Sequence, residues 1–300
     1  MVCLPRDSAS KLSRGGNVLS AVNVIRSLRT GPNRLLVTAT DGRLYVLKLC
    51  DKQRKQDLLN ESFGTTLAAN LGLPVPNWRP IFVSRQFINS LPQECVESTL
   101  QSVSTIFEGW YFGSEMVAQV SGQTVCDYLP GKWMDKIENR SEFAGALLLD
   151  IWANNAQCRQ AIFFQEENSD SFKAVFIGFR GMFSNAADAS SIGKGARYSD
   201  KRIYDGHWNE TLFSFWQERI LSIRESRLRG LLLQLPKEWI DRELAERIIG
   251  NLLIDQKMIE RTSFNSLNPC ILPWKHPREG MLTDREPPAA RRFTEFAFGI

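Results

Sequence analysis

Histidine is nearly missing: His207 and His276 are the only two in 300 residues. Neither stands in a nucleophile motif, so no Ser-His-Asp set can be assembled. The six cysteines (Cys3, Cys50, Cys95, Cys126, Cys158, Cys270) include no C-x-x-C pair, which with so little histidine argues against a zinc site and for reduced thiols. No apolar run approaches the roughly 18 residues of a membrane span. The opening "MVCLPRDSASKLSRGG" carries charges and lacks the apolar core of about 7 to 15 residues that a signal peptide requires. A cytoplasmic protein without membrane contact is expected. One-sided charge is also missing: 37 basic residues face 33 acidic ones, a net of +4 spread along the chain, which gives no case for direct nucleic-acid binding. Glycine-rich phosphate loops of the G-x-G-x-x-G or Walker A type are absent, as are internal repeats.

What is present suffices for two lobes with their own cores, since 43% of the residues are hydrophobic. "RLLVTATDGRLYVLKLC" holds two β-rich runs, 35–38 and 44–49, around the turn pair Asp41-Gly42, and predicts a hairpin. "RKQDLLNESFGTTLAANLG" has a helical apolar period at Leu58, Leu59, Phe63, Leu67, Ala68 and Leu71, with Gly72 as C-terminal cap. Pro74, Pro76 and Pro80 then force extended chain. "WYFGSEMVAQV" reads as extended and "TVCDYLP" as a connector. "SEFAGALLLDIW" predicts a helix opened by a Ser141 cap region, followed by two strands near 161–164 and 172–177. A glycine- and serine-containing loop over 184–200 and helices near 208–225, 226–234 and 241–259 complete the pattern. The expected division is a leader over 1–33, a β-rich N-lobe over 34–118, a mainly helical C-lobe over 119–261, and an extended or disordered tail over 262–300.

Among charged residues, Lys48 sits inside the apolar strand "YVLKL", where an ammonium costs stability unless it meets an anion or reaches water. It could hold nucleotide phosphates, paired with Glu61 on the next helix, or be an edge lysine that snorkels. A phosphate cradle could come only from the hairpin turn, with Thr38, Thr40 and backbone N–H groups as donors. The stretch "DIWANNAQCRQAIFF" reads like a phosphotransferase loop without its acid: after the loop residue Asn155, Gln157 stands where a proton acceptor is wanted, and an amide does not ionise. Arg159 there is a phosphate contact or, more in keeping with its place, a loop clamp. Asp150 fits a helix-end carboxylate that ties the loop down. Cys158 beside Arg159 could have a lowered pKa, but an inert thiol is the plainer reading. Asp188 and Asp200 lie where they could swing in as surrogate metal ligands.

"DGRLYVLKL", "LLNESFGTTLAANLGLPVP", "FGSEMV" with "DYLP", "LLLDIWANNAQCRQAIFF", "AVFIGFRGMF" and "LLLQLPKEWIDRELAERIIGNLL" together resemble the HipA-like kinase family, bacterial serine/threonine-type kinases, from about Arg34 to about Arg261. The resemblance implies an α+β, bilobal protein-kinase-like fold, with Lys48 and Glu61 in the nucleotide cleft. It also exposes departures. Where the family carries the aspartate of its Asn-x-Asp loop this chain has Gln157, and where the family carries the Mg²⁺-holding aspartate of an Ile-Asp-x-Gly turn it has Gly178. Arg180, two residues on, could place a fixed positive charge near phosphates or simply face solvent.

Phosphoryl transfer rests on positioning and on carboxylate-held Mg²⁺. The expectation is therefore a degenerate HipA-like kinase, a pseudokinase that binds ATP weakly if at all, binds Mg²⁺ poorly, has no dedicated metal ligands, and acts by binding a protein partner. The rival expectation is an active serine/threonine kinase using Arg180 and Gln157 as non-standard groups. A small-molecule phosphotransferase ranks below both, since it too would need the two lost acids.

Overall fold

A computed structural model describes residues 18–28, 33–50, 55–100, 105–117, 123–184 and 197–267. The chain forms two compact units: one takes the chain up to Lys52 together with Trp78–Glu115, the other takes Gln53–Asn77 together with everything from Met116.

The first unit is a five-stranded antiparallel sheet in the order β1-β2-β3-β5-β4, from β1 (Ala21–Ser27), β2 (Arg34–Ala39), β3 (Leu44–Lys48), β4 (Trp78–Val83) and β5 (Gly109–Glu115). The expected hairpin is β2–β3, in register from Arg34 opposite Lys48 to Thr38 opposite Leu44. Its turn needs Gly42, whose φ of 78° lies in the left-handed region that side chains disfavour. Alternation along β3 buries Tyr45 and Leu47 and leaves Val46 and Lys48 half-buried. Strand β1 lies within the stretch expected as leader. Its Val22 and Ile25 are exposed, so it shows little of the one-sided apolar pattern that would announce a strand. Two helices, α2 (Arg85–Asn89) and α3 (Gln93–Leu100), join β4 to the segment before β5. Ser84 caps α2 by accepting from the Phe87 N–H.

The second unit begins with helix α1 (Lys55–Asn70), which groups here and not with the sheet, so the units are not separated by one cut near residue 118. Residues Leu58 to Thr65 of α1 are all buried. Its hydroxyls tolerate this by bonding back along the helix, Ser62 Oγ to Leu58 O and Thr65 Oγ1 to Glu61 O. Gly72 ends the helix at φ 83°, with Leu73 N donating to Ala68 O, as a Schellman cap does.

A three-stranded antiparallel sheet follows in the order β6-β7-β8, from β6 (Thr124–Cys126), β7 (Gln160–Gln165) and β8 (Lys173–Ile177). Strand β6 occupies what was expected as a connector; its three residues are too short for a periodic signal, but Val125 and Cys126 are buried against β7. Helix α4 (Glu142–Trp152) is buried from Phe143 onward and anchored by Trp152 Nε1 donating to Leu252 O. Ser141 makes no capping bond, since its backbone is already helical, and Asn139 instead bonds the Glu142 carboxylate. Helices α5 (Glu210–Leu221), α6 (Glu225–Leu232) and α7 (Arg242–Arg261) match the expected helical segments, with Asn209 and Asp241 as true caps of α5 and α7. The residues 1–17, 185–196 with Asp188, and 268–300 with His276 lie outside those described.

Candidate functional site

In the first unit the Lys48 ammonium lies 5.2 Å from the centroid of the Phe112 ring, directly across from it in the β3–β5 register. Four backbone donors of the hairpin expected as a phosphate cradle, those of Ala39, Thr40, Gly42 and Arg43, are in use. Ala39 N bonds Arg43 O, Gly42 N bonds Ala39 O, and Thr40 N bonds Ser20 O. Thr40 Oγ1 accepts from Ser20 N. Asp41 takes the Arg43 N–H on one oxygen and the Tyr45 hydroxyl on the other, at 3.1 and 2.8 Å. Burial, then the Asp41 hydrogen bond, pushes the Tyr45 hydroxyl up to about 12.

In the second unit three segments converge: α1, the loop after α4, and the turn after β8. Asp150, at the end of α4, is fully buried and accepts from Asn155 Nδ2 at 2.8 Å and from Arg159 Nε at 2.8 Å, with Arg159 Nη2 bonding its other oxygen. Burial pushes the Asp150 carboxyl above its ordinary value, while the charge and hydrogen bonds of Arg159 and the bond from Asn155 pull it down. Arg159 also donates to Ile177 O at 2.9 Å and lies over the Phe179 ring at 4.2 Å. It is the clamp between loop and turn, 3% exposed, with its donors turned inward.

Loop and turn are further stitched by Ala156 N to Gly181 O, Phe183 N to Ala153 O, and Asn154 Nδ2 to Ser184 O. Asn154 and Phe183 have φ of 46° and 59°. Asparagine tolerates that region; for phenylalanine it is strained backbone, held by the stitching and by the Phe63 ring at 5.3 Å.

Residues Asp57, Asn60, Glu61 and Gly64 share one face of α1, being spaced i, i+3, i+4 and i+7. All four meet the turn. The Glu61 carboxylate accepts the Phe179 N–H on one oxygen at 3.2 Å and the Arg180 N–H on the other at 3.0 Å. Asn60 Nδ2 donates to Arg180 O and Met182 O, while its Oδ1 is buried without a hydrogen-bonding partner. Gly64 allows the close approach, because a Cβ there would sit 2.7 Å from Phe179 Cβ and 2.8 Å from Met182 Sδ. Asp57 lies 3.9 Å from the Arg180 guanidinium. Glu61 was expected as the partner of Lys48; within the second unit its carboxylate holds the turn, a role the sequence did not announce. The spacing of Asn60, Glu61 and Gly64 was the available signal.

The departed positions are plain. Gln157 is exposed, with its N–H bonded to Asn155 Oδ1 at 3.1 Å. Gly178 has φ 77°, and a Cβ there would fall 2.9 Å from Gln160 Oε1. Arg180 has a side chain 45% exposed beside Asp57, the surface arrangement that contributes little to stability. Asp200 is not free to serve a metal: it caps the turn Lys201–Tyr204 through Arg202 N and forks onto the Arg202 guanidinium. Burial, then the Asp150 charge, raises the Cys158 thiol, opposite to the activation weighed from its neighbour Arg159. Among the described residues no group of three or more His, Cys, Asp or Glu side chains is placed to hold a metal ion, and no helix is long and apolar enough to cross a membrane.

The sequence model of the HipA-like kinases matches residues 21–167, beginning at the first residue of β1. Over that stretch the chain is similar to the HipA-like kinases. Among solved structures, the Golgi casein kinase aligns with a TM-score of 0.54 at 10% identity, over 87% of this chain and 78% of that one. HipA from Shewanella oneidensis MR-1, in a complex with HipB and operator DNA, aligns with a TM-score of 0.47 at 12% identity over 88% and 68%. The Helicobacter pylori proinflammatory kinase CtkA aligns at 0.45 and 10% identity over 79% and 94%. No curated protein sequence matches the chain. At these identities the likeness is one of fold: the chain is an α+β protein with a kinase-like fold.

Proposed function

We propose that the protein is a catalytically degenerate HipA-like kinase that works by binding a protein partner, retains at most a weak hold on ATP, and seats Mg²⁺ poorly. The observation that carries this reading is the turn after β8. It stands where the family resemblance puts a metal-binding turn and is held by Glu61, Asn60 and Arg159, yet at its first position stands Gly178 in the left-handed region, with no carboxylate to offer. Divalent ions bridging a triphosphate need such oxygens. Gln157 adds the second deficit, since losing a general base costs on the order of 10² to 10⁴ in rate. The occupied donors of the Asp41–Gly42 hairpin argue in the same direction for nucleotide affinity.

Lys48 is the residue on which residual ATP binding would depend. The test is a thermal-shift titration of ATP with and without Mg²⁺ on wild type and Lys48→Ala. The expected outcome is a small ATP shift or none, indifferent to Mg²⁺. A large shift that requires Mg²⁺ and disappears in Lys48→Ala would favour the active-kinase alternative.

A further inference from the structure

Two exposed helix faces of the second unit take no part in the site. On α5, Phe215 is 46% exposed and shares one open depression with Glu210, Thr211, Ser214 and Glu218. Arg219 steadies the ring: its guanidinium lies 5.4 Å from the ring centroid and its Nε donates to Leu71 O. On α7, Ile254 is 63% exposed and Met258 36%. Arg247, Lys257, Met258 and Arg261 stand at i−7, i+3, i+4 and i+7 from Ile254 and so share its face. Glu243 joins this face only at the N-terminal end of the helix, Asp255 and Glu260 fall to its sides, and Glu246 is paired with Arg229. Among the described residues, the side chains of Glu210, Glu218, Arg247, Lys257 and Arg261 have no hydrogen-bonding or ion-pair partner. Exposed apolar groups rimmed by polar or charged ones mark an interaction surface.

The two faces look away from each other. Gln217 of α5 donates to Ile259 O and Gln256 of α7 donates to Ile220 O, both at 2.7 Å, which fixes the side on which the helices meet. Each glutamine stands two residues from the exposed apolar side chain of its own helix, Phe215 or Ile254, a rotation of about 200° at about 100° per residue. The acidic, aromatic face and the basic, aliphatic face therefore lie on opposite sides of the α5–α7 pair. We propose that they bind each other between copies of this chain, with Phe215 of one copy against Ile254 and Met258 of the next, and Glu210 and Glu218 meeting Arg247, Lys257 and Arg261. Each face supplies what the other lacks: carboxylates for cations, and an aromatic ring for an aliphatic side chain and a thioether. Because the faces differ and are opposed, the contact is head to tail and does not stop at two copies. Its ion pairs are exposed, so salt weakens it.

The test is the particle mass of the whole chain, by sedimentation or light scattering, over a concentration series at low and at high salt. In wild type the mass should climb past that of two chains at low salt and fall back towards one chain at high salt. Phe215→Asp spoils one face and Ile254→Asp the other, so each variant alone should stay at the mass of one chain. Their equimolar mixture keeps one intact face of each kind and should form two-chain particles and nothing larger. If an aspartate variant does not fold, Glu218→Ala and Lys257→Ala decide: each should raise the concentration needed for association about two- to fivefold. A wild type that stays single or stops at two chains, oligomers that persist in both aspartate variants, or a mixture that recovers no two-chain particle would each overturn the proposal. A single-chain wild type that binds added poly-lysine through Phe215 would assign the acidic face to a foreign basic partner and overturn it as well. The proposal does not rest on the degenerate-kinase reading: a single-chain wild type leaves that reading intact, and phosphate transfer from labelled ATP leaves this one.

Discussion

Two turns in this molecule solve the same problem by different means. The Asp41–Gly42 hairpin and the Gly178–Gly181 turn both use a left-handed glycine and both bond a carboxylate through backbone N–H, one group in the hairpin and two in the turn. In the hairpin the carboxylate is local: Asp41 bonds the amide two residues on, an Asx turn closed by its own strand. In the second turn it is remote, supplied by a helix 118 residues earlier in the chain. A local turn forms as soon as its hairpin does. A remote one has its shape only when the second unit is folded, so substitutions there should be felt by the whole unit.

That difference can be broken experimentally. The largest effect is expected at Asp150, the buried anchor of the loop facing the remote turn. Asp150→Ala leaves the Arg159 guanidinium buried without its carboxylate, a change that costs about 3–5 kcal/mol, and denaturant unfolding should show it as a lowered midpoint or as failure to fold. Next, Glu61→Ala orphans two N–H groups at about 1–3 kcal/mol each, again read from the denaturation midpoint. Asp41→Ala releases one amide, that of the exposed Arg43, together with the Tyr45 hydroxyl, and should cost only about 1 kcal/mol. If Asp41→Ala proved as damaging as Glu61→Ala, the contrast between local and remote support would be lost.

The smallest effect is one of pH. Burial, then the Arg140 charge, lowers the pKa of His207 from its ordinary 6.5, and Asp135 pulls the other way. The unfolded chain then binds the proton more tightly than the folded one, so His207 contributes stability above about pH 6.5, lost as pH falls towards the lowered folded value. A His207→Asn variant should flatten that part of the stability profile. An unchanged slope between wild type and variant would remove His207 from the account.

The same contrast explains what could be read in advance. The hairpin, the helix closed by Gly72, the apolar helix ending at Trp152 and the three later helices announce themselves through neighbouring residues: turn pairs, apolar periods and caps. Strand β1 escapes because Val22 and Ile25 face out, and β6 because three residues carry no period. At the site, Asp150 and Arg159 were legible as a clamp, since a carboxylate at a helix end and an arginine in the following loop are close in sequence. The docking of Asn60, Glu61 and Gly64 on the turn was not, because it joins segments more than a hundred residues apart and nothing local demands it. Ser141 misled for the opposite reason: a serine at a helix start is a fair local signal, but its backbone is already helical and its side chain makes no capping bond.

The most direct trial of the central claim is transfer of the labelled γ-phosphate of ATP, with Mg²⁺ or Mn²⁺, to the protein itself or to a general serine/threonine substrate. The account predicts that incorporation by wild type stays at the level of Lys48→Ala. Phosphate appearing on serine or threonine in wild type, and vanishing in Lys48→Ala, would contradict it.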